Sequence, residues 1–250
     1  MIGSVERYLL EKIEAEGAIH MTLIDPEKAT PPQASRIASK AKSSGTSAIM
    51  IGGSTFASPT HLDNVLKAVK RTVKIPIILF PSNVTGISRH ADAIWFMSLL
   101  NSVDPYFLVG AQILGAPLVK KYRLEPIPLG YIIIGEGGTA SVVGKAVPVP
   151  YDKSKLAAAH ALAGQYLGMR FIYLEAGSGA KKPVPPEMIR VVKNYIDVPL
   201  IVGGGIKSRR QALAAASAGA DIIITGNVVE NTRVKRKVSE IVAGLKNCRA

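Results

Sequence analysis

Eight short apolar runs recur along the chain, and their spacing constrains the fold more than any other feature. They are AIHMTLID (18–25), SAIMIGGS (47–54), IPIILFPS (75–82), AIWFMSLL (93–100), IPLGYIIIG (127–135), FIYLEAG (171–177), VPLIVGGG (198–205) and ADIIITGN (220–227). Most are rich in Ile, Val and Leu without polar alternation, the pattern of a parallel strand buried on both faces. Most end in Gly, Ser, Asp or Asn. Helical patterns such as PPQASRIASKAKSSG, SPTHLDNVLKAVKRT and DKSKLAAAHALAGQYLG lie between them. Eight strands alternating with helices in 250 residues predict a closed (β/α)8 barrel, one domain over 1–250. A doubly wound open sheet is the alternative.

Two units depart from the regular pattern. Only NVTGISRHAD, residues 83–92, separates the third strand from the fourth, which predicts a missing or rudimentary third helix. The segment after the fifth strand, EGGTASVVGKAVPVPYDK (136–153), is long instead. Its glycines and prolines predict a coil that could cover a site. Helix starts are marked by Ser208, placed to cap RRQALAAA, and by Pro185 and Pro186, which open the sixth helix.

The charge balance narrows the partners. Lys and Arg number 31 against 18 Asp and Glu, a net charge of +13. Such a surplus favours phosphorylated metabolites, nucleic acid or an anionic membrane surface. Aromatic content is only 6% and no helix-turn-helix, zinc-finger or RNP signature is present, so nucleic acid is set aside. The single cysteine, Cys248, cannot form an internal disulfide. The N-terminus is charged every few residues, unlike a signal peptide, and no apolar run reaches the roughly 18 residues of a spanning helix. A soluble cytoplasmic protein is expected, with room for peripheral contact with a membrane surface.

Barrel enzymes place their chemistry at the C-terminal ends of the strands. Three successive late strands end there in glycine loops: EAGSGA, VGGGIKS and TGNVVE. Glycine lets backbone N–H groups approach an anion closely, and loops seven and eight are the usual phosphate site of this architecture. A phosphate monoester is therefore expected there, with Ser178 and Asn227 adding polar groups. Tyr173 and Glu175 are two residues apart, so they point to one side of the strand. A carboxylate repels phosphate but accepts from hydroxyls, so a phosphorylated polyol fits. The competing reading of Glu175 is a structural salt bridge to a lysine.

At the other side of the mouth, the first strand ends in TLIDPEK (22–28) and the second in IGGST (51–55). Asp25 with Ser54 and Thr55 would make an oxygen-only site suited to Mg²⁺, completed by substrate phosphate. The competing reading is that Asp25 caps a turn and Ser54 caps a helix. His20, His61, His90 and His160 share no metal spacing and are expected mostly at the surface. No nucleophile-elbow or Walker motif occurs.

TLIDPEK, IGGST, ILFPSN, the 136–153 segment, YLGMRFIYLEAGSGA, VGGGIKS and ADIIITGN together resemble the geranylgeranylglyceryl phosphate synthase family, which also contains heptaprenylglyceryl phosphate synthases. The long segment after the fifth strand is similar to that of the subgroup using geranylgeranyl diphosphate. The resemblance implies a TIM barrel that often lacks a proper third helix. It implies transfer of a geranylgeranyl group to the C3 hydroxyl of sn-glycerol 1-phosphate, with Mg²⁺ held by Asp25 and Ser54. It places glycerol 1-phosphate on Tyr173, Leu174, Glu175, Ala176, Gly177, Ser178 and Gly179, on Gly203, Gly204 and Gly205, and on Gly226 and Asn227. Glu175 would orient the hydroxyl and take its proton. An apolar groove for the C20 tail would draw on Phe80, Ile94, Trp95, Phe96, Leu99, Tyr106, Phe107 and Tyr131. Lys28, Lys145 and Lys207 are candidates for the diphosphate, and a homo-oligomer is implied. The alternatives are a heptaprenyl synthase, another phosphate-binding barrel enzyme (an isomerase or lyase), and a non-catalytic phosphate binder.

Overall fold

The structure, a computed structural model, describes residues 2–53, 58–226 and 234–245. Eight strands close on themselves in chain order: β1 (Ile19–Ile24), β2 (Ala48–Gly52), β3 (Ile77–Phe80), β4 (Ala93–Leu99), β5 (Glu125–Ile133), β6 (Phe171–Glu175), β7 (Leu200–Gly203) and β8 (Ile222–Thr225). All pairings are parallel, and the ring is sealed by Ile19 opposite Ile222. Strand alternation divides the apolar residues into two layers. Met21, Met50, Ile78, Trp95, Leu129, Phe171, Ile201 and Ile222 fill the barrel. Ile172, Leu174, Val202 and Ile223 face outward, against the helices. The expected (β/α)8 barrel is the observed fold.

Helix α1 (Ser4–Glu16) precedes the first strand and closes the N-terminal end of the barrel. Its Val5 and Leu9 join the interior cluster. The Glu125 carboxylate accepts from the backbone N–H groups of Val5 and Glu6, both at 2.8 Å. A negative charge at a helix N-terminus satisfies donors that lack intrahelical partners and complements the helix dipole. Arg170 grips Glu6 through both carboxylate oxygens, at 2.6 and 2.7 Å.

Two full helices follow the first strands, α2 (Pro31–Ser43) and α3 (Pro59–Thr72). Between β3 and β4 stands only a 3-10 turn, Val84–Gly86, so the third helix is rudimentary. Asn83 accepts from the Thr85 N–H there and starts the turn. After β4 a π-helix, Tyr106–Gly110, runs directly into α4 (Ala111–Tyr122).

The segment after β5 differs from the expected coil. It contains α5 (Gly138–Val143) and is tied down by bridges from Ile134 to Val149 and from Ser102 to Ala146. Thr139–Val143 contains no breaker, and both prolines lie beyond the helix, so a short helix forms between flanking glycines. The remaining helices are α6 (Ser154–Tyr166), α7 (Pro186–Lys193), α8 (Arg209–Ser217) and α9 (Val234–Leu245). Pro186 opens α7, and the Ser208 hydroxyl accepts from the Gln211 N–H at the start of α8. Among the described residues no helix is long and apolar enough to cross a membrane.

The expectation of surface histidines fails most clearly at His20, which is 1% exposed. It lies on the outward face of β1, with Nδ1 2.7 Å from the Thr46 hydroxyl and Nε2 2.9 Å from that of Thr225. Two hydroxyls satisfy a neutral imidazole, which makes the burial tolerable. Burial lowers its pKa to about 3. His61, His90 and His160 are each half-buried.

Candidate active site

The β5–β6–β7 register builds the centre of the site. Tyr131 lies opposite Tyr173, Ile133 opposite Glu175, and Glu175 opposite Gly203. Tyr173 and Glu175 therefore share the inward face of β6, and the tyrosine hydroxyl donates to Glu175 Oε2 at 2.5 Å. The other oxygen, Oε1, accepts from the Gly177 N–H at 2.6 Å. No lysine or arginine is part of this arrangement, so the salt-bridge reading of Glu175 finds no partner among the described residues.

Phe80 from β3 completes an aromatic cluster with the two tyrosines. Ring centroids are 5.4 Å apart for Phe80 and Tyr131, 5.8 Å for Phe80 and Tyr173, and 5.1 Å for the tyrosine pair. Burial raises the pKa of Glu175, and the bonds from Tyr173 and Gly177 work against that rise. Burial and then the Glu175 charge hold both tyrosines well above the ordinary phenol value. The site thus holds a carboxylate whose proton affinity is enhanced beside phenols that stay neutral.

The glycine loops fold against this carboxylate. Gly204 has φ +79°, and a Cβ there would lie 2.5 Å from Glu175 Oε1 and 2.7 Å from the Gly177 nitrogen. A side chain at Gly203 would collide with the Tyr173 hydroxyl. Only glycine lets β7 pass this close to β6. A cavity of about 310 Å³ opens above, lined on this side by Tyr173, Glu175, Ser178, Gly179, Gly204, Gly205, Lys207 and Gly226. Leu174 and Ala176 face the other way and pack in the outer layer. Asn227 lies outside the described residues.

On the opposite side the cavity is lined by Asp25, Lys28, Gly52 and Gly53. Asp25 Oδ1 accepts from the Glu27 N–H at 3.0 Å, so this side chain does cap its turn. Its Oδ2 is 3.7 Å from the Lys28 ammonium. A Cβ on Gly53 would come within 2.7 Å of Oδ1, which shows how tightly the β2 loop closes on the carboxylate. Ser54 and Thr55 lie outside the described residues, and α3 begins after Ser58. Among the described residues no three acidic, histidine or cysteine side chains gather as a metal cluster. One hard carboxylate facing a cavity fits Mg²⁺, which one or two carboxylates hold together with substrate phosphates and water.

The rest of the cavity is mostly apolar, with Ser82, Asn83, Gln112, Thr139 and Thr225 among its polar residues. Phe80, Ile94, Trp95, Phe96, Leu99, Phe107 and Tyr131 all line it. Tyr106 does not; its ring packs edge-on against Phe107 at 5.1 Å. Lys145 is also outside, bound to Asp104 at 2.7 Å. The groove reaches Pro81, Val84 and Ile87, where the helix after β3 is missing. Sequence reasoning missed one far wall, Ala111, Gln112 and Gly115 from α4, whereas Ala140, Val143 and Gly144 around α5 belong to the 136–153 segment expected to cover a site. Ala111 and Gly115, small residues one turn apart, are the one signal that could have marked that face.

Residues 11–245 match the model described as the PcrB family. Over 249 residues the chain is 56% identical to the geranylgeranylglyceryl phosphate synthase of Pyrococcus abyssi, covering 98% of this chain and 99% of that protein. Its fold is similar to (S)-3-O-geranylgeranylglyceryl phosphate synthase from Thermoplasma acidophilum, solved in complex with substrate sn-glycerol-1-phosphate. The TM-score is 0.94 at 41% identity, over 98% of this chain and 99% of that one. The wild-type enzyme from Thermoplasma volcanium gives 0.93, also at 41% identity, over 96% of each chain.

Proposed function

The chain belongs to the PcrB family, and from that membership we propose that it forms the ether bond between the C3 hydroxyl of sn-glycerol 1-phosphate and geranylgeranyl diphosphate, releasing diphosphate. One observation carries the reading: a single cavity joins glycine loops suited to a phosphate monoester, a buried carboxylate, a second carboxylate across the mouth and an apolar groove. Relatives named for this reaction share more than half of its residues. A simple phosphate binder would have no use for the groove or for carboxylates beside its ligand.

The residues divide the work as follows. The loops at Ser178–Gly179, Gly204–Gly205 and Gly226 hold the glycerol phosphate. Glu175 accepts the hydrogen of the C3 hydroxyl, and Tyr173 fixes the carboxylate in one orientation. The hydroxyl oxygen attacks C1 of the prenyl chain, the bond from C1 to the diphosphate oxygen breaks, and the proton passes to Glu175. The rings of Phe80, Tyr131 and Tyr173 offer π-electrons to positive charge developing at the allylic carbon. Asp25 would hold Mg²⁺ with Ser54, and the ion, when bound, neutralises charge on the leaving diphosphate. The apolar groove takes the tail and keeps water away from the reacting carbon.

The same reading carries a cytoplasmic homo-oligomer, one barrel domain per chain, that meets its prenyl donor at a membrane surface. The test is transfer of labelled glycerol 1-phosphate into a butanol-extractable product, with farnesyl, geranylgeranyl and heptaprenyl diphosphates in parallel, each with Mg²⁺ and with EDTA. Label that requires Mg²⁺ and is greatest with the C20 donor is expected. A C35 preference would make this a heptaprenyl synthase, and no label from folded protein would overturn the reading.

A further inference from the structure

We infer that Lys207 binds the phosphate of the glycerol substrate, leaving Lys28 as the cavity lysine that serves the diphosphate. The inference rests on the function proposed above and assigns to each anionic substrate its own cation. Sequence alone grouped three lysines as diphosphate ligands, and the structure separates them. Lys145 is engaged by Asp104 and does not line the cavity. Lys28 lies beside Asp25 at the end of β1. Lys207 follows Gly204, Gly205 and Ile206 directly, so it stands at the glycine-loop side.

Its ammonium spans the gap between two of those loops. Nζ donates to the carbonyl of Ala180, in the loop after β6, at 3.3 Å, while the Lys207 backbone belongs to the loop after β7. The acceptor is a carbonyl, so this contact positions the ammonium without neutralising it. An ammonium so placed has donors left for a phosphate oxygen, and a charge-assisted bond of this kind is about twice as strong as a neutral one. Exposed Lys181 and Lys182 follow Ala180 and extend the positive rim. Glu175 also gives a reason for a cation here. Gly204 lies in contact range of Glu175 Oε1, so a phosphate on this loop approaches a buried carboxylate. A lysine on the far side of the phosphate offsets that repulsion.

The test is calorimetric binding of sn-glycerol 1-phosphate, and separately of inorganic phosphate, to wild type, Lys207→Ala, Lys207→Arg and Lys28→Ala, with KM values for both substrates. Lys207→Ala should weaken glycerol 1-phosphate binding at least about tenfold, the effect of losing a charge-assisted bond. Its KM for the prenyl donor should stay within about twofold, Lys207→Arg should be intermediate, and Lys28→Ala should show the opposite pattern. Because Lys207 is exposed, the variant should melt with wild type. Unchanged glycerol phosphate affinity in Lys207→Ala, or a rise confined to the donor KM, overturns the assignment while leaving the proposed reaction intact. Wild-type binding of inorganic phosphate that depends on Lys207, without binding of glycerol 1-phosphate, supports the phosphate role and overturns the proposed substrate. No binding of either anion by wild type overturns both.

Discussion

Tyr173 donates its phenolic hydrogen to Glu175 at 2.5 Å, and that bond counters the burial that raises the carboxylate's pKa. Tyr173→Phe should therefore raise the pKa further. In the pH dependence of kcat/KM the acid limb of this variant should lie above that of wild type. Glu175→Gln should lower kcat by about 10²–10⁴, the usual contribution of a positioned base. A Tyr173→Phe profile coincident with wild type would mean that Glu175 does not titrate in the reaction.

The same carboxylate should weaken the fold. Its folded pKa lies above the unfolded value, so its contribution to stability is present at acid pH, below the unfolded pKa, and is lost as pH rises through the folded pKa. Glu175→Gln should melt higher than wild type at pH 8, and the gap should close toward pH 4. Melting curves at the two pH values decide the matter.

Asp25→Asn removes the one charged oxygen donor that the described residues bring to the proposed metal side. Prenyl transfer should fall by at least about tenfold at fixed Mg²⁺ and recover partly as Mg²⁺ is raised. Binding of glycerol 1-phosphate, measured without metal, should be unaffected. Equal loss of both would instead point to a purely structural turn cap.

His20 should make the fold acid-sensitive. Its folded pKa of about 3 lies below the ordinary 6.5, so the stability it contributes is present above pH 6.5 and is lost as pH falls toward 3. By pH 4.5 the loss attributable to this side chain should be about 2–3 kcal/mol. Urea titrations of wild type and His20→Asn from pH 7 to 4.5 should show a shallower acid decline in the variant.

Gly115 faces the tail groove from α4, and a Cβ there would lie 3.0 Å from Ile87 Cδ1. Gly115→Leu should fill the groove and shift donor preference from C20 toward C15. Removing a helix glycine contributes about 0.8–1 kcal/mol of propensity, which should offset crowding against Ile87. A variant that folds and keeps the wild-type donor ratio would place the tail elsewhere.

The barrel was legible because most strands are their own buried runs rich in Ile, Val and Leu, a local signal that packing does not need to reveal. The weak third helix was legible by length alone. The same loops gave the glycine side of the cavity, since Gly177 and Gly204 are required by close backbone passage within a few residues of each strand. The Phe80–Tyr131–Tyr173 cluster was not legible as a unit, because its rings come from three strands and meet only through register. His20 was misread since nothing near it in sequence announces Thr46 and Thr225. Helix α5 was obscured by glycines that flank it rather than interrupt it.

The Glu125 cap and the Glu6–Arg170 grip hold α1 across the N-terminal end of the barrel. With its interior packed by side chains as well, the barrel is a plugged cup rather than a channel. Under the proposed reaction, two reactants, the diphosphate and a product longer than either reactant share the C-terminal side for all their traffic. The product would keep its phosphate in the glycine loops and its tail in the groove, so it should be the last to leave and should compete with both reactants for the doorway.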